Sequence, residues 1–306
     1  MLAAYGNPVY DVIRTPWVET RGRVLSGCAT NAALVYARLG GTVHVTGRSG
    51  RDHLADYSAV MALDGIVTQT EPCAQTGGFR LTYDAQGRRD LQVLGVAEPI
   101  GAANDAIDDA DFVFIGPVMQ ETPFDLIRDI RHRTDATMLL DPQGLLRRIG
   151  KDGFIEHFKP EGIEAICALF DIVKPNELET ETLTGIDPRR DLDGAASMLK
   201  SWGIPTVVIT LAELGSYIVN DEGSWRIQAI PTCAIDSTGA GDSYAGGLMY
   251  ARSVGINWAD AGRLATAVSS TMIRSCGPEF SMTRSAMDTL SRSVVLEASA
   301  PALSGV

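Results

Sequence analysis

The chain predicts an α/β protein: a doubly wound, mostly parallel sheet covered by helices on both faces, together with a small β lid. Three observations carry that expectation. From Thr42 onward short apolar runs alternate with segments of helical period, the order that produces parallel strands joined by crossover helices. Between Gly77 and Val96 the period shortens toward two, which marks a hairpin outside that alternation. Polar residues then follow the ends of several presumed strands, namely Asp11, Asp141, Asn176 with Glu179, and Thr210. In a doubly wound sheet those ends share the edge where ligands collect.

Leu2-Ala3-Ala4-Tyr5 reads as a short buried strand stopped by Gly6-Asn7-Pro8, with Asp11 just past its end. A carboxylate among apolar neighbours is costly to bury alone, so Asp11 is either a ligand group or an edge aspartate. Arg14 to Leu25 is polar, holds Pro16 and Gly22, and reads as a loop or small exposed hairpin. Ser26-Gly27-Cys28-Ala29-Thr30-Asn31 opens a helix that ends at Gly40. Asn31 falls in its first turn, placed either to cap backbone groups or to bond a ligand hydroxyl.

The next elements are a strand at 43–46, a helix at 52–64 and a strand at Ile66-Val67. The hairpin sets Phe79, Leu81 and Tyr83 against Leu91 and Val93 across the turn Asp84-Ala85-Gln86-Gly87. The acidic run from Asp105 to Asp111 reads as a solvated turn. Strands follow at 112–115 and 137–140, the second ending at Asp141-Pro142-Gln143-Gly144, with a helix at 123–133 between them. A helical region at 161–168 leads to strand 172–174, which stops at Pro175-Asn176-Glu177-Leu178-Glu179. A helix at 191–201, a strand at 206–210 reaching toward Gly215, and short strands at 216–219 and 225–229 come next. Helices at 258–275 and 282–292 close the fold, and 298–306 reads as a frayed end.

Between the last strands and the closing helices lies Asp236-Ser237-Thr238-Gly239-Ala240-Gly241-Asp242, followed by Tyr244, Leu248 and Ala251 at helical spacing. Glycines let the backbone turn and approach a ligand, and the first N–H groups of a helix point outward beside a partial positive charge. Such a turn suits an anion. Asp242 at its mouth is either a cap or a base for an attacking hydroxyl. A hydroxyl nucleophile, a base and a cradle for negative charge are the equipment of phosphoryl transfer.

Charge and composition narrow the classes. The 306 residues are 45% apolar and carry a net charge of -12, which argues against a nucleic-acid or acidic-membrane partner while leaving room for a small anionic substrate. Five scattered cysteines form no CxxC pattern and four histidines no ligand spacing, as expected of reduced thiols in a cytoplasmic protein. The amino-terminal residues lack a signal-peptide pattern, and no apolar run reaches the ~20 residues of a membrane span. Asn176 and Glu179 are three apart, so on a helix they share a face and hold Mg2+ through its waters, or else pair as a cap. Neither GxxxxGK[ST] nor a GxGxxG after the first strand occurs, which speaks against a P-loop and against a dinucleotide dehydrogenase.

Taken together, these motifs resemble the ribokinase-like (PfkB) carbohydrate kinases. Asp236 to Asp242 looks like their carboxy-terminal signature, Ser26 to Asn31 like their amino-terminal glycine-rich motif, Asn176-Glu177-Leu178-Glu179 like their NxxE motif, and Gly6 to Asp11 like their first strand with its substrate aspartate. The resemblance implies one ribokinase-like domain over 1–306, with a lid from about 14–25 and 77–96, that moves the γ-phosphoryl group of ATP to a sugar, polyol or nucleoside hydroxyl. It further implies Asp242 as base and an anion hole of Gly239, Ala240 and Gly241. Asp11, Gly27 and Asn31 would hold substrate hydroxyls. Asn176 and Glu179 would govern Mg2+, and Thr210 and Gly215 would lie near the nucleotide beside Asn176, Gly239 and Gly241. Asp236 with Thr238 would bind a monovalent cation, K+ in some members, and the protein would be a monomer or homodimer.

Two motif positions depart from the pattern. Ser26 replaces the first glycine of the amino-terminal motif, and Ala212 replaces a glycine in the nucleotide-side sequence Thr210-Leu211-Ala212-Glu213-Leu214-Gly215. Only about fifteen residues separate Asp11 from Gly27, so the lid strand there is expected to be short. That spacing and Asp141 to Arg147 look somewhat like the myo-inositol kinase branch. Two other readings stand beside this one. A kinase of phosphosugars would need basic groups at the acceptor end, for which Arg14, Arg21, Arg23, Arg80, Arg88 and Arg89 are candidates, and a non-catalytic sugar- or nucleotide-binding regulator would keep the scaffold alone.

Overall fold

In the computed structural model, which describes residues 1–84 and 89–298, the chain builds three sheets. In chain order the strands are β1 (Leu2–Tyr5), β2 (Val9–Arg14), β3 (Val24–Ser26), β4 (Val43–Gly50), β5 (Val67–Cys73), β6 (Gly78–Tyr83), β7 (Arg89–Gly95), β8 (Phe112–Ile115), β9 (Thr137–Leu140), β10 (Arg147–Ile149), β11 (Ile155–His157), β12 (Ile172–Val173), β13 (Thr206–Thr210), β14 (Ser216–Asn220), β15 (Gly223–Ile227) and β16 (Leu296–Ala298). The helices are α1 (Cys28–Arg38), α2 (Leu54–Leu63), α3 (Phe124–Arg133), α4 (Ile163–Cys167), α5 (Glu177–Thr184), α6 (Leu192–Ser201), α7 (Ala240–Ser253), α8 (Trp258–Met272) and α9 (Arg284–Ser291).

The large sheet has the order β16-β15-β14-β13-β12-β9-β8-β1-β4-β5. Its strands from β13 to β5 run parallel, and β14, β15 and β16 add an antiparallel edge. Strands buried on both faces must be apolar throughout, and Leu2–Tyr5 and Phe112–Ile115 are buried at every position. One core lies between this sheet and the packed residues of α1, α2, α7, α8 and α9. A second lies on the opposite face beneath α3, α4, α5 and α6. Covering both faces is the doubly wound arrangement expected.

α1 and α7 pack closely because their contact is made of small residues. A side chain at Gly246 of α7 would lie 2.5 Å from the Ala32 carbonyl oxygen of α1. That approach sets the two helix starts, and hence Asn31 and Asp242, side by side.

The small sheet has the order β3-β2-β6-β7. It begins earlier than expected: β2 starts at Val9 and pairs in parallel with β6, so Asp11 sits within this sheet rather than at the end of β1. Val9-Tyr10-Asp11-Val12-Ile13 carries apolar residues on both faces, which hid the period of two. The two-stranded β10–β11 sheet was also not foreseen, because three residues per strand give no period. Of the segment expected to fray, Ala298 closes β16, and the rest of it lies outside the described residues, as does most of the turn after Asp84. Among the described residues no helix is long and apolar enough to cross a membrane.

Candidate active site

The turn from Asp236 to Asp242 delivers the chain into α7. Gly239 is its N-cap with φ +77°, and an added Cβ would stand 2.5 Å from Asn31 Nδ2 and 2.6 Å from Met272 Cε, so only glycine fits. Ala240 N donates to Ser237 O at 3.2 Å. Of the three amides expected to face an anion, that one is therefore engaged within the turn, and those of Gly239 and Gly241 have no backbone acceptor among the described residues.

Asp242 does not cap its helix. Its two carboxylate oxygens are instead held from separate elements: Asn31 Nδ2 of α1 donates to Oδ2 at 3.0 Å, and Gln143 Nε2 donates to Oδ1 at 3.0 Å. Asn31 thus neither caps nor stands free in this structure; it orients Asp242. Gln143 Oε1 in turn accepts from Arg147 Nη2 at 2.7 Å, and Arg147 Nη1 reaches Val118 O at 3.1 Å. Sequence reasoning gave no task to Gln143 or Arg147.

Behind the turn lies a buried ion pair. Lys174 Nζ stands 2.8 Å from Asp141 Oδ2, with the two side chains 2% and 3% exposed. A Cβ on Gly241 would come within 3.3 Å of Lys174 Nζ, so this cation adjoins the turn. Burial works against the charged form of Lys174, yet Asp141 and Glu179 hold its ammonium above the ordinary value. Cys28 Sγ shares with Asp141 and Asp242 the one cluster of potential ligand atoms within 4.8 Å of one another among the described residues. Burial, then the two carboxylates, pushes that thiol up, and Asp141 is already paired, so the group does not suit a metal.

Asn176 and Glu179 form a full capping box at the start of α5: Asn176 Oδ1 accepts from Glu179 N at 2.9 Å, and Glu179 Oε2 accepts from Asn176 N at 2.8 Å. Glu179 Oε1 also accepts from Asn176 Nδ2 at 2.7 Å. Burial, and then the charge of Asp141, pushes the Glu179 carboxyl up. Thr210 bridges to Asn176 beside it. Gly215 has φ +92°, and a Cβ there would strike Ile227 O at 2.0 Å. Arg189 ties this region together, bonding Glu177 of α5 and Glu213 of the 211–215 turn.

Ala212 takes φ +48°, the left-handed region that the missing glycine would occupy without strain. That conformation costs a non-glycine residue roughly 1–2 kcal/mol, against which glycine loosens the unfolded chain by about 0.4–1 kcal/mol. Ala212→Gly is therefore expected to stabilise the protein by up to about 1 kcal/mol in urea unfolding. A loss of stability would show that the turn is not strained at this position.

The small sheet closes the other side. Asp11 is 2% exposed, and its Oδ1 accepts from Phe79 N at 2.7 Å. Burial pushes its carboxyl up to about 7, against the opposing influence of the Phe79 amide, the Ser26 side chain, Arg89 and Arg147. Gly27 has φ +122° and packs on Asn7 and Pro8, beside the start of β2. Tyr83 OH of β6 shares a 2.9 Å hydrogen bond with Thr238 Oγ1, and Thr15 Oγ1 donates to Ile235 O at 3.0 Å, so the small sheet touches the α7 approach at two points. Asp236 Oδ1 accepts from Thr238 N at 2.9 Å, fixing the first half of the turn.

The profile of the pfkB family carbohydrate kinases matches residues 1–284. Over 235 residues the chain is 29% identical to ribokinase of Staphylococcus aureus, covering 72% of each protein. It is 29% identical to cytidine kinase of Thermococcus kodakarensis over 245 residues, 78% of this chain and 82% of that one. Identity to 1-phosphofructokinase of Escherichia coli is 27% over 300 residues, 87% and 88% of the two chains. Among solved structures, a pyrophosphate-dependent kinase of the ribokinase family, complexed with a pyrophosphate analog and myo-inositol, superposes with a TM-score of 0.81 at 21% identity, over 94% of this chain and all of that one. With its fold, its glycine turn into α7 and a profile match over most of its length, the chain belongs to the pfkB family of carbohydrate kinases.

Proposed function

We propose that this kinase transfers the γ-phosphoryl group of ATP to a hydroxyl of a sugar, polyol or nucleoside, with Asp242 as the general base. The observation that carries the assignment is the mounting of Asp242: a carboxylate at the open start of α7, gripped on both oxygens by Asn31 and Gln143. Held so, it is oriented to receive a proton rather than to close the helix. The acceptor hydroxyls are bound by Asp11 on the small sheet, which serves as the lid, with Gly27 leaving room beside it. The amides of Gly239 and Gly241 face the developing charge, and Lys174 adds a cation at that turn. The transition state is loose, so placement and charge matter more than base strength.

Glu179 suits a divalent cation: it is a buried carboxylate whose charge is costly where it stands, and Asn176 positions it rigidly. Asn176 and Glu179 would hold Mg2+ through its waters, and that ion would supply charge neutralisation on the donor phosphates. Thr210 and Gly215 line the nucleotide end, and Asp236 with Thr238 is the candidate for K+. The five unpaired cysteines suit a reducing, cytoplasmic setting.

The test is ADP release from ATP with a panel of pentoses, hexoses, polyols and nucleosides. For the best acceptor, kcat/KM is expected to rise between pH 6 and 8. Asp11 is protonated below about pH 7, and only its carboxylate accepts from substrate hydroxyls without reserve. Asp11→Asn should lower kcat/KM roughly 10- to 100-fold, the worth of hydrogen bonds to a charged group, and flatten that rise. A panel with no turnover would favour the regulatory, non-catalytic reading.

A further inference from the structure

Among the described residues, Arg147 is the most deeply buried cation of the site that no carboxylate neutralises directly. Its side chain begins where the turn after Asp141 enters β10, and the residue is 3% exposed. Nη1 and Nη2 are bonded to the Val118 carbonyl and to Gln143, whereas Nε has no hydrogen-bond partner among the described residues. Acidic groups act on it only through space, from Glu179, Asp242 and Asp141. Burying a guanidinium without a paired anion is expensive, and an unmet N–H adds to the cost.

A second arginine comes to the same place from the small sheet. In the β6–β7 ladder Arg89 stands opposite Tyr83, so the two side chains share a face. Tyr83 on that face bonds Thr238, next to the glycine turn. Phe79, two registers along the same face, lies under the Arg147 guanidinium at 5.9 Å and donates its amide to Asp11. Arg89 and Arg147 therefore converge between Asp11, which faces the acceptor, and Asp242. Burial first and Arg89 next push the Arg147 guanidinium below its ordinary value, whereas that of Arg89, against burial, is held above its own by Tyr83, Glu179 and Asp242. Two like charges brought together in a buried gap call for an anion that can accept from both.

We propose that Arg89 and Arg147 form a two-guanidinium receptor for a phosphoryl group, one arm fixed beside Gln143 and Asp242 and the other carried in by the lid. The inference rests on the kinase reading and sharpens it. Guanidinium forks match the oxygens of phosphate and bind them by charge-assisted hydrogen bonds. The orphan Nε is a donor waiting for such an oxygen. Because Arg89 rides on the small sheet, an anion at this point would also draw the lid shut. The phosphoryl group has two possible sources, the γ-phosphoryl in transfer or a phosphate ester on the acceptor.

The test uses the whole protein with Arg89→Gln, Arg89→Lys and Arg147→Lys. Far-UV circular dichroism and thermal melting verify folding, and the lid variants keep the test open if Arg147→Lys does not fold. Inorganic phosphate, without nucleotide, is titrated calorimetrically. Arg89→Gln should weaken its binding by about tenfold or more, with Arg89→Lys between it and the parent. Steady-state kinetics then separate the sources. If the group is the one in transfer, Arg89→Gln lowers kcat by roughly 10²-fold for every acceptor with KM for ATP little changed. If it is on the acceptor, KM for phosphorylated sugars rises at least about tenfold while sugars without phosphate are unaffected. Phosphate affinity and both kinetic constants within about twofold of the parent in the Arg89 variants would overturn the receptor. Arginine-dependent phosphate binding in a protein that turns over no acceptor would instead keep the receptor and overturn the kinase reading.

Discussion

Asp242→Asn is expected to lower kcat by roughly 10²- to 10⁴-fold, the usual worth of a general base, while ATP affinity and melting temperature stay near those of the parent. The carboxylate now accepts from Asn31 Nδ2 and Gln143 Nε2 on its two oxygens. An amide in its place has one acceptor and one donor. Gln143 cannot turn over to suit it, because its own Oε1 is held by Arg147. Asn31 can, since its amide makes that one side-chain contact, so residue 242 keeps a partner on each side of its amide. Coupled measurement of ADP release beside calorimetric titration of ATP separates chemistry from binding. Full turnover in the variant would remove Asp242 from the role of base.

The largest expected loss of stability comes from Lys174→Met. The side chains of Lys174 and Asp141 are almost wholly withdrawn from water, and removing one partner leaves an uncompensated buried charge, which costs about 3–5 kcal/mol. Combining Lys174→Met with Asp141→Asn should recover much of the stability, since a neutral pair asks for no counter-charge. The combined variant is nevertheless expected to transfer phosphoryl groups slowly, for the cation beside Gly241 is gone. Denaturant unfolding of the two variants with the Asp141→Asn control gives the coupling energy. A coupling near zero would mean that the pair is solvated in solution.

Most of the large sheet was legible because its signals are local. Phe112–Ile115, Thr137–Leu140 and Thr206–Thr210 are apolar runs with clear stops, and they are strands within those bounds. The glycine turn into α7 was legible for the same reason: small residues, a carboxylate and a helical period lie within a few positions. The capping box of Asn176 and Glu179 could be read from its spacing of three. What escaped depends on residues far apart in sequence. Gln143 and Arg147 acquire meaning only when α7 brings Asp242 to them, 99 positions after Gln143. Lys174 carried a faint signal, a charge directly after the buried pair Ile172-Val173, since such a placement demands a partner. The strand holding Asp11 was missed because both of its faces are packed, one in the lid and one beside His53, which stacks on Tyr10.

In the assignment proposed above, the carboxylate for the acceptor stands on the small sheet and the base stands in the first turn of α7, and Gly6-Asn7-Pro8 joins β1 of the large sheet to β2 of the small one. Ile13, Leu81 and Leu91, which share Asp11's face of the small sheet, make no part of the glycine turn or of the Asp141–Lys174 pair. On that assignment, inheritance could rewrite the guest by altering the small sheet, leaving the chemistry performed at the start of α7 as it was.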